Sequence, residues 1–221
     1  MAIQLDSAKT NSTVELQCIE LIGAGKRFNR EWIFKNFNQE FLPEQYYAIT
    51  GPNGSGKSTL LQAIAGSLQL SEGSIDWKGN PEIDPEQIFL HLAIAAPYLE
   101  LIEEMTAREF LQFHSQFKPL IQTISIPDIL GILGLDKAAN KQIRFFSSGM
   151  KQRVKLAQAI FADVPVLLLD EPCTNLDQTG YKLYHELINT YCSKKLIIVS
   201  SNDPHEYDFC KIILRIQDYK G

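Results

Sequence analysis

GPNGSGKST, at residues 51–59, is the stretch on which the fold turns. It spells glycine, four residues, glycine, lysine and a hydroxyl residue, the pattern of a phosphate-binding loop. A β-prone run, YYAIT at 46–50, precedes it. Residues 57–65 follow with Leu60, Leu61 and Ile64 on one helical face and Gly66 as a stop. Strand, glycine-rich loop and helix in that order make a cradle for an anion. Gly51, Gly54 and Gly56 let backbone N–H groups come close to phosphate oxygens with no side chain between. Pro52, Asn53, Ser55 and Thr59 complete the loop, and Lys57 can reach β and γ phosphates. Ser58 offers its hydroxyl to Mg2+, while the helix points its positive end at the anion.

Further along, VLLLDEP at 166–172 carries Asp170 and Glu171 to the end of an apolar run, where ligands bind in open α/β sheets. Asp170 is placed to hold Mg2+ through water. Glu171 is placed as a general base, or as the group that orients the attacking water at a γ phosphate. Alone, the run reads as a strand followed by an acidic turn; the phosphate loop makes the pair a nucleotide site. The continuous apolar runs at 166–169 and 196–199 suit parallel strands covered on both faces. Short β-prone runs at 14–22, 32–34 and 39–42 suggest an opening β layer, with further strands at 88–95 and 212–216. Helical signals dominate from 106 to about 142. Thr106 and Glu109 have capping-box spacing, Phe110, Phe113 and Phe117 recur at helical intervals, and Pro127 suits the first turn of a second helix.

A composition of 45% hydrophobic and 21% charged residues excludes disorder, and 221 residues suit one large domain or a core with a small inserted lobe. Lys and Arg number 21 against 26 Asp and Glu, a net charge of −5 with no basic block. That argues against direct binding of nucleic acid. No apolar stretch approaches the ~20 residues of a spanning helix. The opening MAIQLDSAKTNSTVELQ lacks the basic and apolar regions of a secretory signal, so the expected location is cytoplasmic. Cys18, Cys173, Cys192 and Cys210 lack the paired spacing of a metal or redox site and read as free thiols.

A third motif, FSSGMKQR at 146–153, opens a helical face of Met150, Val154, Ala157 and Ile160. Lying between GPNGSGKST and VLLLDEPCTNLD, it resembles the signature motif that stands between Walker A and Walker B in ABC ATPases, the nucleotide-binding subunits of ABC transporters. The similarity runs from about residue 14 to 216. The resemblance implies an α/β fold, a P-loop NTPase core of ABC ATPase type with an antiparallel β layer and an inserted α-helical subdomain. It implies a single domain over 1–221, with the ATP-binding core at about 14–96 and 146–217 and the helical subdomain at about 97–145. It also implies ATP and Mg2+ as cofactors, hydrolysis coupled to transport, and a head-to-tail dimer. In that dimer Ser147, Ser148 and Gly149 would meet the γ phosphate of the opposite copy's ATP. Separate transmembrane permease subunits are the further partners implied, with the chain peripheral on the cytoplasmic face of the membrane. One complete motif set favours a homodimer over a heterodimer. The insertion between Lys57 and Ser147 is too short for the coiled-coil arm of a chromosome-organising ATPase.

The pattern departs from the family at several positions. Phe146, Ser148 and Met150 replace the Leu, first Gly and Gln of the common LSGGQ signature. Tyr98 stands where the family carries a Gln that touches Mg2+. Asn202 stands at the position of the switch His, able to donate to phosphate but unable to titrate. Phe28 lies where these ATPases offer an aromatic ring to adenine, with Trp32 close enough to compete. Asn175 to Asp177 match the loop through which two subunits sense each other, and Asp177 also suits a helix N-cap. The alternative reading is a soluble ABC-type ATPase, or a weakly hydrolysing nucleotide-gated switch, in a non-transport process.

Overall fold

The computed structural model describes residues 14–220; residues 1–13, which hold most of the stretch read as lacking a secretory signal, lie outside them, as does residue 221. The chain opens with β1 (Glu15–Phe28) and β2 (Glu31–Phe41), then β3 (Tyr46–Thr50), α1 (Lys57–Ile64) and β4 (Glu72–Asn80). Strands β2, β1 and β4 form an antiparallel sheet in that order. The rest of the chain supplies β5 (Leu92–Ala95), α2 (Ala107–Phe117), α3 (Ile126–Ile132), α4 (Ser148–Ile160), β6 (Val166–Asp170), α5 (Gln178–Tyr191), β7 (Leu196–Ser200) and β8 (Ile212–Arg215). With β3 these make a parallel sheet in the order β5-β6-β7-β3-β8, with β8 at an edge.

The parallel strands alternate between two cores. Val166 and Leu168 of β6, with Leu196 and Ile198 of β7, join Leu60, Leu61 and Ile64 of α1 and the phenylalanines of β2. Leu167, Leu169, Ile197 and Val199 face the other way, onto Val154 and Ala157 of α4 and Leu187 and Ile188 of α5. Every residue of β6 and β7 is therefore buried, which is why the sequence there is continuously apolar. Each Leu or Ile so buried contributes about 2 kcal/mol.

The antiparallel sheet differs from its sequence reading because two residues that look like breaks are bulges. Gly23 and Asn36 both take left-handed backbone, at φ 56° and 53°, and the β1–β2 register slips around them. The Asn38 side chain stitches the two, accepting from Gly23 N at 2.7 Å and donating to the Asn36 carbonyl at 3.0 Å. Both strands consequently run on as long elements. Strand β4 has no counterpart in the sequence reading: its EGSIDWKGN is largely polar, and only Ile75 and Trp77 mark an inward face. The Trp77 indole donates to the Ile64 carbonyl at 3.1 Å, fixing this sheet to the end of α1. The expected strand at 88–95 is half as long, because Asp84 and Pro85 start a 3-10 turn through Leu90.

Between β5 and α4 the chain adds α2 and α3 and no strand to either sheet among the described residues. The capping box at α2 is present: Thr106 Oγ1 accepts from Glu109 N at 3.2 Å, and Glu109 accepts from Thr106 N at 2.9 Å. Ser125 and Asp128 form a second one at α3, with Pro127 in its first turn. All four cysteines are free and buried.

Gly73 tests the seam of the antiparallel sheet. It has φ 75°, and a Cβ there would lie 2.3 Å from the Gly23 carbonyl oxygen. Gly73→Ala is expected to destabilise the protein by about 2 kcal/mol or more. By thermal unfolding that is a Tm at least about 4 °C lower.

Candidate active site

The C-terminal ends of β3, β5, β6 and β7 lie side by side, so whatever follows each strand converges there. After β3 the loop takes positive φ at Gly51, Gly54 and Gly56. At Gly56 a Cβ would sit 2.3 Å from Ile33 Cγ2, so the loop is pressed onto β2 and only glycine fits. Lys57 is 4% exposed and folds back across the loop, its Nζ donating to the carbonyls of Gly51 at 2.8 Å and Pro52 at 3.3 Å. The buried Ser55 hydroxyl has no hydrogen-bond partner among the described residues, and no side chain caps α1. An orphaned hydroxyl, uncapped helix N–H groups and a glycine cradle fit a phosphate chain.

Asp170 ends β6, 2% exposed, and its Oδ1 accepts from Ser200 Oγ at 2.7 Å. The pairing follows from register: Asp170 and Ser200 are partners at the ends of β6 and β7. Ser200 is the orienting residue that the sequence reading did not single out, and two apolar runs each ending in a polar residue are the signal for it. Glu171 leaves the strand in left-handed backbone, φ 43°, held by a bond from its N–H to the Ser200 carbonyl at 2.8 Å. Such a conformation costs about 1 kcal/mol or more and is typical of sites where a side chain must be aimed. Ser58 and Asp170, both oxygen donors beside this loop, fit a magnesium ion.

Asn202, beyond β7, donates from Nδ2 to Asn53 Oδ1 at 3.0 Å, so the switch position touches the phosphate loop. Glu171 and Asn202 also line one cleft of about 260 Å³. Tyr98 follows β5, and its hydroxyl faces the Gln62 side chain of α1 and feels the charge of Asp170; burial raises its pKa. Phe28 ends β1, 47% exposed, with Lys26 Nζ 5.1 Å from its ring centre. The competing Trp32 is covered by Arg27 and Lys35.

The signature stands apart from these residues. Ser147 caps α4, accepting from Met150 N at 3.3 Å, and Ser147 and Ser148 are exposed. Ser148 lines a cavity of about 400 Å³ with Glu100, Lys151 and Asn175, and no phosphate-loop residue borders it. Within the chain, α4 is bound instead to the segment after Glu171. Gln152 Nε2 donates to the Pro172 carbonyl at 2.6 Å, and a Cβ at Gly149 would lie 3.2 Å from the Asn175 oxygen.

Comparison with known proteins agrees with this geometry. The family model described as "ABC transporter" matches residues 34–174. The chain belongs to the ABC transporter ATP-binding family. It is 29% identical over 200 residues to the uncharacterized ABC transporter ATP-binding protein YybJ of Bacillus subtilis, covering 90% of this chain and 92% of that one. It is 36% identical over 158 residues to YxlF of the same organism, covering 70% of this chain but only 52% of the relative. A solved dimeric bacterial ABC transporter cassette, MJ0796, superposes with a TM-score of 0.74 at 24% identity, over 90% of this chain and 94% of that one, a likeness of fold. As in the family at large, ATP is the nucleotide bound.

Because Ser200 orients Asp170 from behind, Ser200→Ala in this ABC protein is expected to raise the Mg2+ concentration needed for tight ATP binding by about tenfold. A titration of Mg2+ against fluorescent nucleotide binding reads it.

Proposed function

We propose that this chain is the ATP-hydrolysing subunit of an ABC transporter, working as a head-to-tail pair docked on separate membrane subunits. One observation carries the reading: Lys57 lies across the phosphate loop, Asn202 bonds to Asn53 of that loop and shares a cleft with Glu171, while Ser147 and Ser148 stand exposed outside it in the same chain. A second copy, turned end for end, would bring its signature to this loop. The triphosphate would lie over the backbone N–H groups of residues 51–58, with Lys57 exchanging its loop carbonyls for β and γ oxygens. Ser58 and Asp170 would hold Mg2+, which would neutralise charge developing between those phosphates. Glu171 would take the proton of the attacking water or orient it, and Asn202 would donate from Nδ2 to the γ phosphate. Ser147 Oγ and Gly149 N–H of the second copy would close the other side.

No helix among the described residues is long and apolar enough to cross a membrane; the separate membrane subunits belong to this proposal. The exposed Ile102, Phe113, Phe117 and Phe145 on and beside α2 suit an apolar partner surface. The peripheral cytoplasmic location and the homodimer belong to this same proposal.

Glu171→Gln is expected to lower kcat by about a hundredfold or more while ATP is still bound. Unchanged turnover would remove Glu171 from its role. A detergent pull-down of that variant with ATP should retain a multi-span membrane protein, and soluble partners alone would favour a non-transport ATPase.

An amide at 202 does not titrate, so this position adds no step to the pH dependence of kcat. Asn202→His should introduce one near pH ~6.5.

A further inference from the structure

The segments that follow β6 and β7 are joined at their roots by Ser200, which holds Asp170 and the Glu171 N–H. They are joined again farther out, by Glu206. This residue ends the 3-10 turn Pro204–Glu206 and is only 4% exposed. Its Oε1 accepts from Cys173 N at 2.8 Å. The backbone around it is pinned. Glu206 N donates to the Asp203 carbonyl at 3.0 Å, and the Glu206 carbonyl accepts from Tyr184 Oη at 2.9 Å. Asp203 in turn takes the Tyr181 hydroxyl at 2.9 Å.

A buried carboxylate is a costly way to fill this space. Loss of water raises the Glu206 pKa, and the charges of Asp203 and Glu171 raise it further, opposed by hydrogen bonds from Ser201 and Cys173 N. No basic side chain forms a salt bridge with it among the described residues. An apolar residue of similar size would satisfy the packing. What it would not supply is an acceptor for Cys173 N–H. That N–H belongs to the turn closed by the bond from Thr174 N to the Glu171 carbonyl, 3.1 Å, which starts at the left-handed Glu171. The opposite end of Glu206's own segment carries Asn202, bonded to Asn53 of the phosphate loop.

We propose that Glu206 is a positioning residue, gripping Cys173 N–H across the gap between the two segments and so holding Glu171 in register with Asn202 and the phosphate loop. It lines the same cleft as Glu171 and Asn202, and its role runs through the Cys173 N–H. The inference rests on the reading of Glu171 as the group that activates water.

The test compares Glu206→Leu, Glu206→Gln and Glu171→Gln in the full chain, by steady-state ATPase and by binding of a fluorescent ATP analogue. Glu206→Leu should lower kcat about tenfold or more, as misplacement by a fraction of an ångström does, with KM and analogue affinity within about twofold. Glu206→Gln keeps an acceptor oxygen and should stay within about threefold of the native kcat. A native kcat in Glu206→Leu overturns the proposal. So does a loss of ATP affinity in proportion to kcat, which would mark a purely structural role, or a Gln variant as impaired as Leu. Where Glu206→Leu does not fold, hydrogen exchange at the Cys173 amide decides: protection in the native chain and in Glu206→Gln is expected, and rapid exchange in the native chain overturns the grip. Native turnover in Glu171→Gln would instead overturn the underlying assignment of Glu171. An inactive Glu171→Gln beside a fully active Glu206→Leu would sink the grip alone.

Discussion

Burial of β6 and β7 on both faces is the constraint on which the rest of this molecule depends. A strand with apolar cores above and below can carry polar groups only where it ends, so Asp170 and Ser200 sit at the strand termini and meet there in register. The two cores in turn dictate what must cover the sheet: α1 and the antiparallel layer on one side, α4 and α5 on the other. The phosphate loop is trapped between these demands, continuing β3 while leaning on Ile33 of β2. Its glycines answer a steric requirement of the fold as much as an electrostatic one of the ligand.

Much of this was legible in the sequence, and where it was, the reason was local. The phosphate loop, the apolar runs at 166–169 and 196–199 and the Thr106 capping box each depend on residues within one turn or one strand. Where the reading failed, the deciding contact lay elsewhere in the chain. Gly23 and Asn36 look like ends of strands, yet pairing with a neighbour turns each into a bulge, bridged by Asn38. The polar β4 becomes a strand because β1 offers it an edge and Trp77 an anchor on α1. The strand expected from residue 88 is shortened by a proline-initiated turn just upstream.

The candidate site divides the same way. Lys57, Asp170 and Glu171 announce themselves by type and spacing. Ser200 and Glu206 do not, since a serine ending a strand and a glutamate in a short turn are each ordinary until the fold sets them beside Asp170 and Cys173. Recognition motifs mark the groups that meet the ligand. The groups that aim them are specified by topology.

The attachment of α4 to the segment beyond Glu171, through Gln152 and the close approach of Gly149 to Asn175, has a thermodynamic corollary. In a reciprocal pair each protomer's signature would serve its neighbour's nucleotide while remaining tied to its own carboxylate. Any shift of one would strain the other. The two seats would then share a single coupling free energy, equal in both directions, and cooperativity between them would follow from contacts inside each chain.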